Sequence, residues 1–113
     1  MKGKRVILEM GSGNDLHGGN YTKAAVRAVE DAIHHSSLTF IRTLGIDPRT
    51  MQVDVTIGVP RPERVDKDAV LAVLPHGTGI VRVVEGGLEI ANDAGTNSTV
   101  IANAAAVVRL DLP

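Results

Sequence analysis

The chain has no cysteine and no tryptophan, and holds one phenylalanine and one tyrosine in 113 residues. Without cysteine there are no disulfides and no thiolate metal centres, so any metal would have to rest on His, Asp or Glu. With Phe40 and Tyr21 as the only aromatics there is no stacking platform for bases. A formal net charge of −1 supplies no electrostatic footprint for a phosphate backbone either. Nucleic acid is therefore not an expected partner. No apolar run approaches the length of a membrane span, and the short run after the basic Met1–Arg5 is too brief for a secretory signal. A cytoplasmic protein with no membrane partner is the expectation.

What remains is 43% hydrophobic and 22% charged, an ordinary globular composition of one domain over 1–113. Its apolar residues are mostly Ala, Val and Ile. Such side chains bury little area each, whereas aromatics usually give the largest increments. Association of copies would supply further burial, and a homo-oligomer is expected.

Lys4–Met10 reads as a strand. From Tyr21 to about Leu44, Ala25, Val29, Ile33, Phe40 and Leu44 recur on one helical stripe, with Gly45 as C-cap and Pro48 beyond it. Val53, Val55, Ile57 and Val59 alternate with polar or small residues as in a half-buried strand. A short helix from an Asp66 cap through Leu74 follows, ended by Pro75. Gly79–Glu85 and Thr99–Leu112 read as further strands, the second preceded by a turn-rich patch at Ala91–Ser98. This order predicts an α+β fold: a mixed four-stranded sheet with two helices on one face. The other face would be covered by sheet-to-sheet packing between copies, with a barrel-like trimer favoured.

The richest segment is Gly11–Asn20, with four glycines, Asp15 and His17 ahead of the long helix. It is neither a dinucleotide fingerprint, since Leu16 stands at the third glycine position, nor a P-loop, since Gly19-Asn20 replace Lys-Ser/Thr. Lys23 and Arg27 place two cations at the positive end of a helix dipole, a conflict an anionic ligand would resolve. Gly11, Ser12, Gly13, Asn14, Gly18, Gly19 and Arg27 are thus candidate ligand-binding residues for a small anionic or polar molecule. Asp15 and His17 are candidates for acid–base work or for ligation of a divalent metal, and Lys23 for assisting catalysis. The alternatives are an Asx turn at Asp15, a surface imidazole at His17, and an Arg27–Asp31 pair.

Two more positions join the catalytic candidates. His34 and His35 point about 100° apart on a helix and cannot share one ion; His35 lies one turn after Asp31, beside Ala24 and Ala28, and suits an interface. Glu85 ends a strand beside Gly86-Gly87, as Glu9 ends the first. His76 and Asn92-Asp93 fall near such strand ends as well. No G-x-S-x-G elbow accompanies Ser36, Ser37 or Ser98.

At Gly11-x-Gly13-x-Asp15-x-His17-Gly18 the chain resembles an uncharacterised family of small single-domain proteins, known chiefly from bacteria, that carries this motif near its N-terminus. The resemblance runs on through Thr22–Val29, Asp31–His35, Val55–Val59 and Val83–Gly87, and brings no activity with it. In layout the chain is also similar to one repeat of the cyanuric acid hydrolase and barbiturase group, and to the small chorismate mutases and imine deaminases. That similarity implies a trimeric architecture with sites between subunits. The serine motif of the hydrolase group, Ser-Gly-Gly-Thr-Glu-Gly, has no match here. Two functions follow as expectations: an enzyme acting on a small polar or anionic metabolite, with hydrolysis of a cyclic or amide-like substrate favoured, or a non-catalytic small-molecule or metal-binding module.

Overall fold

The computed structural model describes residues 3–33, 44–47, 50–74 and 78–111. Among these residues five strands, β1 (Lys4–Asp15), β2 (Gln52–Val59), β3 (Thr78–Glu85), β4 (Leu88–Ala91) and β5 (Ser98–Leu110), form one mixed sheet with two α-helices, α1 (Tyr21–Ile33) and α2 (Lys67–Leu71). The sheet is not a closed barrel. Its strand order is β1-β5-β2-β3, with β4 also pairing β5. β5 runs antiparallel to β1, β2 and β4, while β2 and β3 are parallel. The fold is therefore the α+β class expected, with β4 as a fifth strand that the sequence reading passed over.

β4 escapes notice because it is only four residues long and half of it is exposed Leu and Ile. It exists because of how the chain leaves β3. After Glu85 the backbone crosses the end of β2, where the Gly86 amide donates to the Val59 carbonyl at 2.9 Å. The added strand then pairs Leu88 with Ile101 and Ile90 with Thr99, taking up the edge of β5 just beyond the last β2 pair, Gly58 with Asn103. Glycine is required at the crossing. Gly87 has φ +63°, and a Cβ there would lie 2.0 Å from the Ile101 carbonyl oxygen.

α1 follows from the alanine-rich stripe Ala24, Ala25, Ala28, Val29 and Ala32, all fully buried. These pack on Val55, Ile57, Val100, Ala102 and Ala104 of the sheet within one core cluster. Asn20 caps the helix: its Oδ1 accepts from the Lys23 amide at 3.0 Å. Asp66 does the same for α2, accepting from the Asp68 and Ala69 amides. Thr22 joins the two helix starts, its Oγ1 accepting from the Asp66 amide at 2.9 Å. The expected continuation of α1 over residues 34–43, with His34, His35, Ser36, Ser37 and Phe40, lies outside the described residues, as do Pro48, Pro75 and His76.

The first strand is longer than its apolar run. The sequence pattern ends the strand at Met10 and makes the glycine-rich Gly11–Asn20 a loop, but Gly11–Asp15 continue β1, each paired with β5 from Ala104 to Val100. The pattern conceals this because Gly11 and Gly13 have no side chain to mark the buried face. A Cβ at Gly11 would lie 2.4 Å from the Ala32 amide nitrogen, and one at Gly13 2.3 Å from that of Ala28. α1 thus rests on β1 backbone to backbone, an approach only glycine permits.

Candidate functional site

The loop between β1 and α1 shrinks to Leu16–Asn20, and Asp15 organises it. The Asp15 side chain is buried, and its Oδ2 accepts from the Asn20 amide at 2.9 Å and the Gly18 amide at 3.2 Å. Its other oxygen faces Lys23 Nζ at 3.7 Å. The Asn20 amide hydrogen bond, then the charge of Lys23, the Gly18 amide and the charge of Arg27 hold its carboxyl below the ordinary range, against the opposing effect of burial. The anion at the positive helix end is therefore supplied by the protein itself.

Arg27 and Ser12 have equally internal partners. Nη1 of Arg27 donates to the Asn14 carbonyl at 2.8 Å, and the Ser12 amide donates to Asp31 Oδ2 at 3.0 Å. Both contacts cover the outer edge of β1, which among the described residues pairs with β5 alone, on its other side. Of the expected ligand-binding residues, Gly11 and Gly13 lie under α1, Ser12 and Asn14 on the covered edge, and Gly18 and Gly19 at the loop. Asp15, Lys23, Gly18 and Gly19 come together. His17 is exposed on the far side of the loop, and Glu85 is exposed at the end of β3, where it lines a shallow cavity with Pro60, Gly86-Gly87, Leu88 and Glu89. His35 lies outside the described residues. Among the described residues no three His, Asp or Glu side chains converge as a metal centre would need.

A second cluster, not anticipated as a site, stands beside the loop. Tyr21, the first residue of α1, donates its hydroxyl to Glu89 Oε1 at 2.7 Å, and Ser98 donates to Glu89 Oε2 at 2.8 Å. The hydroxyls of Tyr21 and Ser98, with the charges of Arg61 and Arg64, hold the Glu89 carboxyl below the usual range against burial. The same hydrogen bond, burial and the Glu89 charge push the Tyr21 phenol up, opposed by Arg61 and Arg64. The Arg64 guanidinium stands 5.7 Å from the Tyr21 ring centroid, within cation–π range. The local signal is Leu88-Glu89-Ile90: an acid between two apolar residues of a strand, hence facing the opposite side from them.

These groups line an open recess of about 260 Å³, floored by Gly18, Gly19, Tyr21, Glu89 and Ser98 and walled by Arg64 and the β4–β5 turn. Asn92 builds that turn, its Oδ1 accepting from the Thr96 and Asn97 amides. Gly19 is seated against Ser98: its amide donates to the Ser98 carbonyl at 3.1 Å, and a Cβ on it would meet Ser98 Oγ at 2.8 Å. On the other side of β4 a shallow groove of about 320 Å³ holds Leu16, His17, Ile90, Asn97, Ser98 and Thr99. Ser98 borders both.

No helix among the described residues is long and apolar enough to cross a membrane. Comparison with curated proteins gives no match. Among solved structures the chain is similar to an FtsZ-like protein of unknown function from Nostoc punctiforme, at 38% identity and a TM-score of 0.86, over 99% of both chains. Residues 5–108 match the model of a family described as conserved hypothetical protein (Lin0512_fam). With nearly the whole domain matched, the chain belongs to the Lin0512 family of conserved hypothetical proteins.

Proposed function

We propose that the protein binds a small polar molecule in the recess over Glu89, and that it does so without transforming it. The observation that carries this is the pairing of an ionised carboxylate, fixed by two hydroxyls, with the guanidinium of Arg64 at the mouth of the same recess. A ligand bearing both hydrogen-bond donors and an anionic group meets complementary partners there: Glu89 and Ser98 for the donors, Arg64 for the anion. The volume suits a molecule of a few heavy atoms more than a nucleotide.

Binding is favoured over acid–base catalysis by the direction in which the local groups titrate. A general acid or base works best with its pKa near the operating pH. Asp15 and Glu89 are instead driven further into the ionised form and Tyr21 further into the protonated form. The hydrolytic reading draws its support from the groove on the other side of β4, where His17 and Ser98 share a wall. There His17 would be the acid–base group.

The test is a thermal-shift series with small hydroxylated acids and zwitterions, tartrate, glycerate and serine among them, on the wild type and Glu89→Gln. Saturable stabilisation of the wild type that Glu89→Gln loses, with each compound recovered unchanged, supports the binding module. Recovery of a product, lost in His17→Ala, moves the function to an enzyme. Absence of any shift across the series removes the recess as a ligand site.

A further inference from the structure

The two helices pack on one face of the sheet, and the opposite face carries an apolar surface of its own. Along β5 the buried positions are Val100, Ala102, Ala104, Ala106, Val108 and Leu110, so Ile101, Asn103, Ala105, Val107 and Arg109 look the other way. Register places Leu8 and Met10 of β1 opposite Val107 and Ala105, Leu88 of β4 opposite Ile101, and Val84 of β3 opposite Gly58. Leu8, Met10, Val84, Leu88, Ile90 and Ile101 are exposed by between 36% and 65%.

We infer that this open face is where a second copy of the chain packs, sheet against sheet. This goes beyond the ligand-binding reading and stands on a different surface. Three features point to the same chain as the occupant. The first is area. Strands of 12 and 13 residues at about 3.4 Å per residue, in four columns about 4.8 Å apart, make a face on the order of 600–800 Å². That matches the roughly 800 Å² one partner contributes to a standard interface.

The second is shape. The centre of the face is a trough at Thr56, Gly58 and Ala105, with Asn103 beside Gly58, between rims at Leu8 and Met10 on one side and Arg82, Val84 and Leu88 on the other. A rim of one copy fits the trough of the other and receives its rim in return, the self-complementarity that symmetric association demands. The third is Asp54. It sits on this face, 6% exposed, with Oδ2 3.4 Å from Arg109 Nε and Oδ1 buried without a hydrogen-bond partner. A buried carboxylate oxygen is costly to leave unpaired, and a donor arriving on this face would complete it. The groove that holds His17 also opens at the end of this face, through Leu16, Ile90 and Thr99.

The experiment combines mass and chemical footprinting. Light scattering across a dilution series should give a closed multiple of the 11.9 kDa chain for the wild type. Met10→Lys and Leu88→Lys should fall to the single-chain mass with an unchanged circular dichroism spectrum, while Lys67→Glu on α2 leaves the mass alone. In the wild type, peroxide oxidation of Met10 should slow at least tenfold between the dissociated and associated ends of the series, with buried Met51 as the slow reference. The oxidation needs no variant, so it decides the matter even if a lysine variant fails to fold. A single-chain mass at every concentration overturns the interface. So does a multiple in which Met10 oxidises as fast as in the dilute sample, which would place the contact elsewhere.

Discussion

The amide nitrogen of Ala28 stands 2.3 Å from where a Cβ on Gly13 would be. Glycine in this segment is therefore a packing device: it lets α1 lie on β1 with no side chain between the two backbones. The same holds at Gly11 beneath Ala32. It also accounts for the small-residue core, because alanines on the helix and glycines on the strand reach close contact without aromatics.

Gly13→Ala should destabilise the fold by about 1–3 kcal/mol, since backbone, unlike a flexible side-chain tip, cannot step aside. Urea denaturation monitored by circular dichroism reads this directly. A loss below about 0.5 kcal/mol would mean that α1 is free to shift outward.

Asp15→Asn removes the charged acceptor shared by two loop amides and should cost about 1.5–3 kcal/mol at neutral pH. The sign of the pH dependence follows. A carboxyl lowered by folding contributes its stability in full above its unfolded value, near pH 4, and loses it as pH falls through the folded value. Melting curves between about pH 2 and 6 should fall less steeply for Asp15→Asn than for the wild type. Parallel curves would show that the carboxylate is not a source of acid sensitivity.

Tyr21→Phe, Glu89→Gln and the double variant form a thermodynamic cycle across the 2.7 Å hydrogen bond. Each single change should cost about 1–2 kcal/mol, and the pair less than their sum, with a coupling of at least about 0.5 kcal/mol. The raised Tyr21 phenol adds an alkaline signature. Its stability is complete below its unfolded value near pH 10 and is lost as pH rises through the folded value, and Tyr21→Phe abolishes that loss. Additive singles would break the link between α1 and β4.

Gly87→Ala combines a left-handed φ with a carbonyl 2.0 Å from the new methyl group. A loss of about 3 kcal/mol or more is expected, concentrated in β4. Amide hydrogen exchange should show the Leu88–Ala91 pairings opening first, while those of β2 with β5 persist. Uniform loss of protection would instead make β4 inseparable from the rest of the sheet.

Much of this architecture is legible in the residues. Val53–Val59 alternates cleanly, Asp66 caps a short helix, and Asn92 opens a turn, each because local chemistry and tertiary environment agree. The sequence misleads where one residue type serves two purposes. Gly11 and Gly13 read as loop because glycine permits turns, but here it permits contact. The partners of Lys23 and Arg27, Asp15 and the Asn14 carbonyl, are not legible from spacing, because they meet only once β1 lies beside α1. Tyr21, Glu89 and Ser98 come from three separate elements, so no spacing rule could unite them. The open sheet face is visible as alternation, yet alternation cannot say which set of side chains the helices will cover.

The crossing at Gly86-Gly87 leaves one edge of β5 divided between β2 and β4, with β1 along the other edge. β5, last in chain order among the described strands, is thus the hub to which three earlier strands attach, and Lys4 pairs with Leu110. No sheet edge involving β1 can close while β5 is still being synthesised. Before then, among the described residues, the strand pairing open to the nascent chain is the parallel β2–β3 unit. Folding is therefore expected to wait until β5 has been made, and to be slow for a chain of this size, because its decisive contacts are its most distant ones.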